Sequence, residues 1–156
     1  MELKNQIIRI LETNHILSLG TADGGHVHVV SLFYAHRGLD LYFVSSPDSL
    51  HMTQAALNQR VSLTIHESTQ DFRSVRGLQI AGTVSRVEKQ GEKVECLELF
   101  KNKYSFMELF LKAKSLKKHL FQTEFYKITP VQITLIDNTK GFGHKETWSL
   151  EENQAP

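Results

Sequence analysis

Residues 45 to 51 read Ser-Ser-Pro-Asp-Ser-Leu-His, so Ser45, Ser46, Ser49 and His51 stand within one short run. Hydroxyls donate hydrogen bonds to anions, and a helix N-terminus adds free N–H groups with a partial positive charge. The run is therefore a candidate phosphate cradle, with His51 able to add charge. Asp48 pulls the other way, because it sets a carboxylate in the same turn. Plain capping, with Ser46 or Asp48 bonding to the first helical turn, explains the same residues without a ligand.

His26 and His28 stand two apart on an expected strand and so share a face. A metal needs a third ligand, and no obvious spacing supplies one. Cys96 sits beside Leu97 in a helical stretch with no neighbour that would stabilise a thiolate, so it reads as a small buried hydrophobe. The run 112–119, KAKSLKKH, reads as a solvated helix face, because Ala113, Leu116 and Leu120 interrupt its lysines at helical spacing. Arg73 and Arg76 flank a polar loop and could meet an anion. The tail, GFGHKETW at 141–148, carries Phe142 and Trp148 among glycines and basic residues. Such aromatic content predicts packing, either on the protein's own surface or over a planar ligand.

These residues need elements to hold them. Leu3, Ile7, Ile8, Ile10 and Leu11 have helical spacing that stops near Asn14. Three strands follow, HILSLGTA, HVHVVSLFYA and LDLYFVSS, joined by the turns DGG and HRG. Pro47 suits the start of a helix that runs to about Asn58. RVSLTIH and GLQIAGTVSRVE are further strands, and Gly82 marks a bulge or a close backbone approach. Residues 90–121 read as helix in two pieces, and EFYKITPVQITLIDN as a last strand interrupted by Pro130. Residues 139–150 then lie outside the barrel's hydrogen bonding. Six meander strands with helices set apart predict an α+β, mainly β domain built on an antiparallel barrel.

The bulk properties fit one such domain over residues 1–156, with the tail 139–156 on or near the site. A net charge of +1 gives no reason to expect nucleic acid. No apolar run reaches membrane-span length. One cysteine and an N-terminus without a basic-then-apolar leader predict a soluble cytoplasmic protein.

The stretch from Gly25 to Ile65, GHVHVVSLFYAHRGLDLYFVSSPDSLHMTQAALNQRVSLTI, resembles the pyridoxamine 5′-phosphate oxidase-like split barrels. The likeness continues through VRGLQIAGTVSRVE, and RGLQIAG with DNTKGFGHKETW resembles the YhbP-like subgroup. It runs from about residue 5 to 150. The resemblance implies a six-stranded split barrel that forms a homodimer, with FMN at the subunit interface. It places the FMN phosphate by Ser45, Ser46 and Ser49 and the isoalloxazine against Val29, Val30 and Ser31 of the second strand. Leu50 and His51 stand where the true oxidases carry a basic pair; Val29 and Tyr34 replace their second-strand basic residues, and Gly77 replaces a glutamine. His51, Arg76 and Lys140 are then the candidates to neutralise the phosphate, with Phe142 and Trp148 to cover the ring. The resemblance thus implies a small flavin-dependent oxidoreductase rather than a vitamin B6 oxidase. Haem or a deazaflavin on the same scaffold, or a non-catalytic binding or stress-response module without a cofactor, are the alternatives. No catalytic side chain and no metal ligand is expected, since a flavin carries the chemistry itself.

Overall fold

A computed structural model describes residues 1–150. The chain begins with helix α1 (Leu3–Thr13), whose Ile7, Ile10 and Leu11 are fully buried. Each such side chain contributes roughly 1.5–3 kcal/mol by leaving water. Strands β1 (Ile16–Asp23) and β2 (His26–Phe33) form a hairpin through the expected glycine turn, where Gly24 has φ 59°. β3 (Ala35–Arg37) and β4 (Asp40–Ser45) form the next hairpin, and helix α2 (Leu50–Leu57) follows. β5 (Arg60–His66) and β6 (Arg76–Arg86) pair, separated by a 3-10 turn at Phe72–Ser74. Helices α3 (Gln90–Lys103), α4 (Met107–Lys112) and α5 (Lys114–Phe121) lead to the long β7 (Glu124–Asp137) and then β8 (Lys145–Ser149).

All eight strands belong to one antiparallel sheet in the order β2-β1-β5-β6-β7-β4-β3, with β8 also paired to β7. The expected six strands become eight for two reasons. Tyr34 and Ala35 are buried in succession, which breaks the alternation and splits the expected second strand into β2 and β3. The tail adds β8, from Gln132↔Ser149 to Ile136↔Lys145 along β7. The helical stretch divides into three rather than two, because Ala113 takes an extended conformation between α4 and α5. No glycine or proline marks that break.

The sheet curls around a core of Leu17, Leu19, Leu63, Ile65, Ile80 and Ile133, closed by α1 and α2. A second core lies on the other side of β3 and β4, where Tyr42 and Ala35 meet Cys96, Phe100, Tyr104 and Met107. Cys96 is fully buried, and burial, then the nearby Glu92, pushes its thiol up to about 11. It is inert packing, as the sequence suggests. Between Ala81 and Gly82 the β6–β7 register shifts, so Ala81 faces Gln132 while Gly82 faces Pro130. A Cβ on Gly82 would stand 2.5 Å from the Thr129 carbonyl oxygen, so only glycine permits this approach.

Candidate functional site

Ser45 ends β4, and its buried position follows from the strand's alternation with Leu41 and Phe43. Two residues later the chain turns at Pro47 and Asp48, and Ser49 becomes the N-cap position of α2. The Ser49 side chain caps nothing in the helix. Its hydroxyl donates to the Ser46 carbonyl at 2.7 Å, and no acidic residue occupies the first helical turn. The α2 N-terminus therefore keeps its donors and partial positive charge unspent.

His51 lies beneath the serines. Its Nε2 is 2.6 Å from the Ser45 hydroxyl and 3.3 Å from that of Ser49. If Nε2 carries the proton, the ring donates to Ser45 and leaves the serine hydrogen for an outside acceptor. Burial, then the neighbouring His28, holds the His51 pKa below the ordinary histidine value. His51 thus orients Ser45 as a neutral ring and is not a standing cation for a phosphate. The His28 and His51 rings stack at 6.5 Å, which sets β2 beside the serine turn. α2 is further pinned to β1 by the Thr21 hydroxyl, which donates to the Gln54 Oε1 at 2.7 Å in a buried hydrogen bond.

On β2 the alternation separates the expected ring contacts. Val29 and Ser31 face outward with Val27, whereas Val30 packs against the main core. Val29 is 67% exposed and lies over a shallow cavity of about 530 Å³ floored by Ser18, Gly20, Ser62, Gln79 and Ala81. Apart from Gln79 these side chains are small, and they leave an open sheet face. His26 is exposed at the start of β2, and no cluster of metal-ligating residues exists among the described residues.

The remaining expected residues lie elsewhere. Ser45 pairs with Glu124 at one end of β7, whereas Arg76 pairs with Asp137 at the other. Measured along the strand those ends are separated by roughly 40 Å. Arg76 lies near Glu67 and Asp137 (3.7 and 3.4 Å), and its Nε is buried without a hydrogen bond. Burial pushes the Asp137 carboxyl up, but the Thr139 hydroxyl and N–H, with Arg76 and Lys140, outweigh it and hold the group below its ordinary value. Lys140 donates to Gln6 at 3.1 Å and to Glu146 at 2.9 Å. Trp148 is partly buried against the main core on β8. Phe142 is 84% exposed and meets Phe72 edge-on at 5.9 Å. Within one chain, then, Ser45, Ser46, Ser49 and His51 come together with His28 of β2, Val29 and Ser31 lie on the opposite face of that strand, and Arg76, Lys140, Phe142 and Trp148 form a separate group. The tail to residue 150 is part of the sheet, which corrects the expectation that it stands outside the hydrogen bonding; residues 151–156 lie outside the described residues. Sequence reading missed the Thr21–Gln54 bond, since nothing local signals a pair of residues so far apart in the chain.

A curled antiparallel sheet with a hydroxyl-rich strand-to-helix turn defines the split-barrel class. The family profile described as pyridoxamine 5′-phosphate oxidase matches residues 4–136, and the chain belongs to that family. A UPF0306 protein of Photorhabdus laumondii is 27% identical over 146 residues, covering 92% of this chain and 94% of the relative. Among solved structures, a conserved hypothetical protein of Mycobacterium tuberculosis superposes with a TM-score of 0.75 at 14% identity, over 97% of this chain and 95% of that one. A FAD-binding protein of Mesorhizobium loti gives 0.67 at 22% identity, over 85% and 92%. A haem-binding protein of Mycobacterium smegmatis gives 0.73 at 13% identity, over 97% and 60%. At these identities the structural likenesses establish the fold. Among the described residues no helix is long and apolar enough to cross a membrane.

Proposed function

We propose that this chain is a homodimeric flavin-binding split barrel, acting as a small FMN-dependent oxidoreductase. The observation that carries the reading is the serine turn itself, where the Ser45 hydroxyl meets the buried His51 ring and the N-terminus of α2 carries no side-chain cap. The residues fit the group. Ser46, with Ser45 oriented by His51 and the uncapped N–H groups of α2, would hold the phosphate, and Ser49 would join them once its hydroxyl turns from the Ser46 carbonyl. The exposed face around Val29 and Ser31, which points away from His28, would take the ring where a dimer brings it to the serine turn of the partner subunit. When bound, a flavin supplies hydride and single-electron transfer.

The cradle is one of neutral donors, and both Arg76 and Lys140 are engaged by acids at the far end of β7. In an isologous dimer the partner's tail end would be free to approach this chain's serine turn, so the two separate groups would meet across the interface. The exposed Val27 and Val29 and the open sheet face beside them supply the surface for it. Titration with FMN and riboflavin tests the reading. FMN should bind at least about tenfold more tightly, since a charge-assisted hydrogen bond contributes about 1.5–3 kcal/mol. Equal affinities would remove the cradle.

Haem is the second reading, favoured by the exposed imidazole of His26 at the open end of β2. The absorbance spectrum of freshly purified protein separates the two. Flavin bands support the first reading and a Soret band the second, while a colourless protein that takes up neither ligand is a binding module without a cofactor.

A further inference from the structure

A second cavity, of about 310 Å³, lies between the outer face of β2 and β4 and helices α3–α5. Its walls are Phe33, Phe100, Phe106, Phe110, Met107 and Leu120. The rings already form an edge-and-face array. Phe106 lies 5.1 Å from Phe33, 5.0 Å from Tyr104 and 6.0 Å from Phe110. Phe33 remains 49% exposed, so the array stops at an open ring rather than closing on itself. Ser31 and His119 are exposed where the cavity meets solvent, and no Lys, Arg, Asp or Glu lines it. Among the described residues neither the Ser31 hydroxyl nor the His119 ring has a hydrogen-bond partner.

The size decides what can enter. A small molecule fits, since ligand cavities start at about 300 Å³ and combine apolar walls with a few polar groups. Aromatic walls favour an aromatic guest, because ring pairs gain stability beyond their buried area. The absence of a charged lining disfavours an ionised one. Ser31 and His119 can each bond to one polar substituent left at the mouth.

We propose that this cavity binds an uncharged aromatic molecule of one or two fused rings, which is the substrate class of the site on β2. The word substrate rests on the flavin reading, because Ser31 belongs both to this mouth and to the face proposed for the ring. The binding itself does not rest on it.

The test uses the full-length protein and 2-naphthol as probe, with binding read from its fluorescence and from the NMR shift of the Met107 methyl group. Saturable binding with movement of the Met107 signal is expected. Phe110→Ala should weaken it about tenfold, and Phe110→Leu, which keeps apolar bulk without the ring, by a smaller factor. Melting of each variant by circular dichroism verifies the fold. Binding by wild type that leaves the Met107 signal unmoved, or affinity unchanged in a folded Phe110→Ala protein, overturns the proposal. So does affinity that falls as protein concentration rises a hundredfold, which would mean that a second copy fills the cavity. FMN titration in the same samples separates the two readings. FMN binding without naphthol binding overturns the cavity alone, whereas naphthol binding without FMN keeps the cavity and removes only its link to a flavin.

Discussion

The Nε2 of His51, in the first turn of α2, lies 2.6 Å from the buried Ser45 hydroxyl. A histidine in that place is read from sequence as a replacement cation. Its burial makes it a neutral hydrogen-bonding ring instead, held below the ordinary value by desolvation and by His28.

This has a consequence for stability. The folded-state pKa is depressed below the ordinary 6.5, so around and below that pH the unfolded chain binds more protons than the native one. His51 therefore contributes stability that is present above 6.5 and lost as pH falls through that value toward the folded pKa. Thermal denaturation between pH 8 and pH 5 should show a falling midpoint. His51→Gln, which retains a side-chain amide for Ser45, should show a shallower fall; an identical slope would mean that the ring titrates as it does in water.

Gly82 and Gly91 should respond oppositely to alanine. At Gly82 the new Cβ would meet the Thr129 carbonyl at 2.5 Å, whereas at Gly91 in α3 nothing lies within 4 Å. Gly82→Ala is expected to destabilise by ~1–3 kcal/mol through overpacking against rigid backbone. Gly91→Ala should stabilise by up to about 1 kcal/mol, because alanine is the better helix former. Urea unfolding of the two variants measures both.

Truncation after Asn138 removes β8, with its ladder to β7 and the packing of Trp148 against the main core. The shortened chain should lose considerable stability instead of merely losing a surface strap. Trp148→Ala alone should cost roughly 2–4 kcal/mol in urea unfolding, a little below the range for fully buried large aromatics. A cost near zero would return the tail to the role of a loose cover.

Val29 is the residue on which the proposed dimer and the proposed ring site can be tested together. It is 67% exposed at the centre of the open β2 face. Val29→Lys should leave the fold intact, since its side chain packs against no core, yet give a light-scattering mass near 17.8 kDa in place of twice that value. FMN affinity should fall in parallel. A dimeric Val29→Lys protein would place the interface elsewhere.

The sequence by itself determined the local elements and the class of fold. The periodicity around Ile7 and Leu11, the glycine turn at Gly24, the alternation of Arg60 to His66 and the bulge at Gly82 are each short-range signals, and each is present in the structure. The serine turn was equally legible, because hydroxyls before a helix are a local pattern. Other features depended on distant partners. The strand at 145–149 exists because β7 offers an edge to it, and its own residues do not alternate in a way that announces a strand. Breaks at Tyr34 and Ala113 answer to packing rather than to any helix- or strand-breaking residue. The state of His51 depended on burial, which a sequence does not display. The separation of Arg76 and Lys140 from the serines followed from strand geometry. Neighbours across a sheet are fixed by register, and opposite ends of one long strand remain far apart however plausibly their side chains would combine.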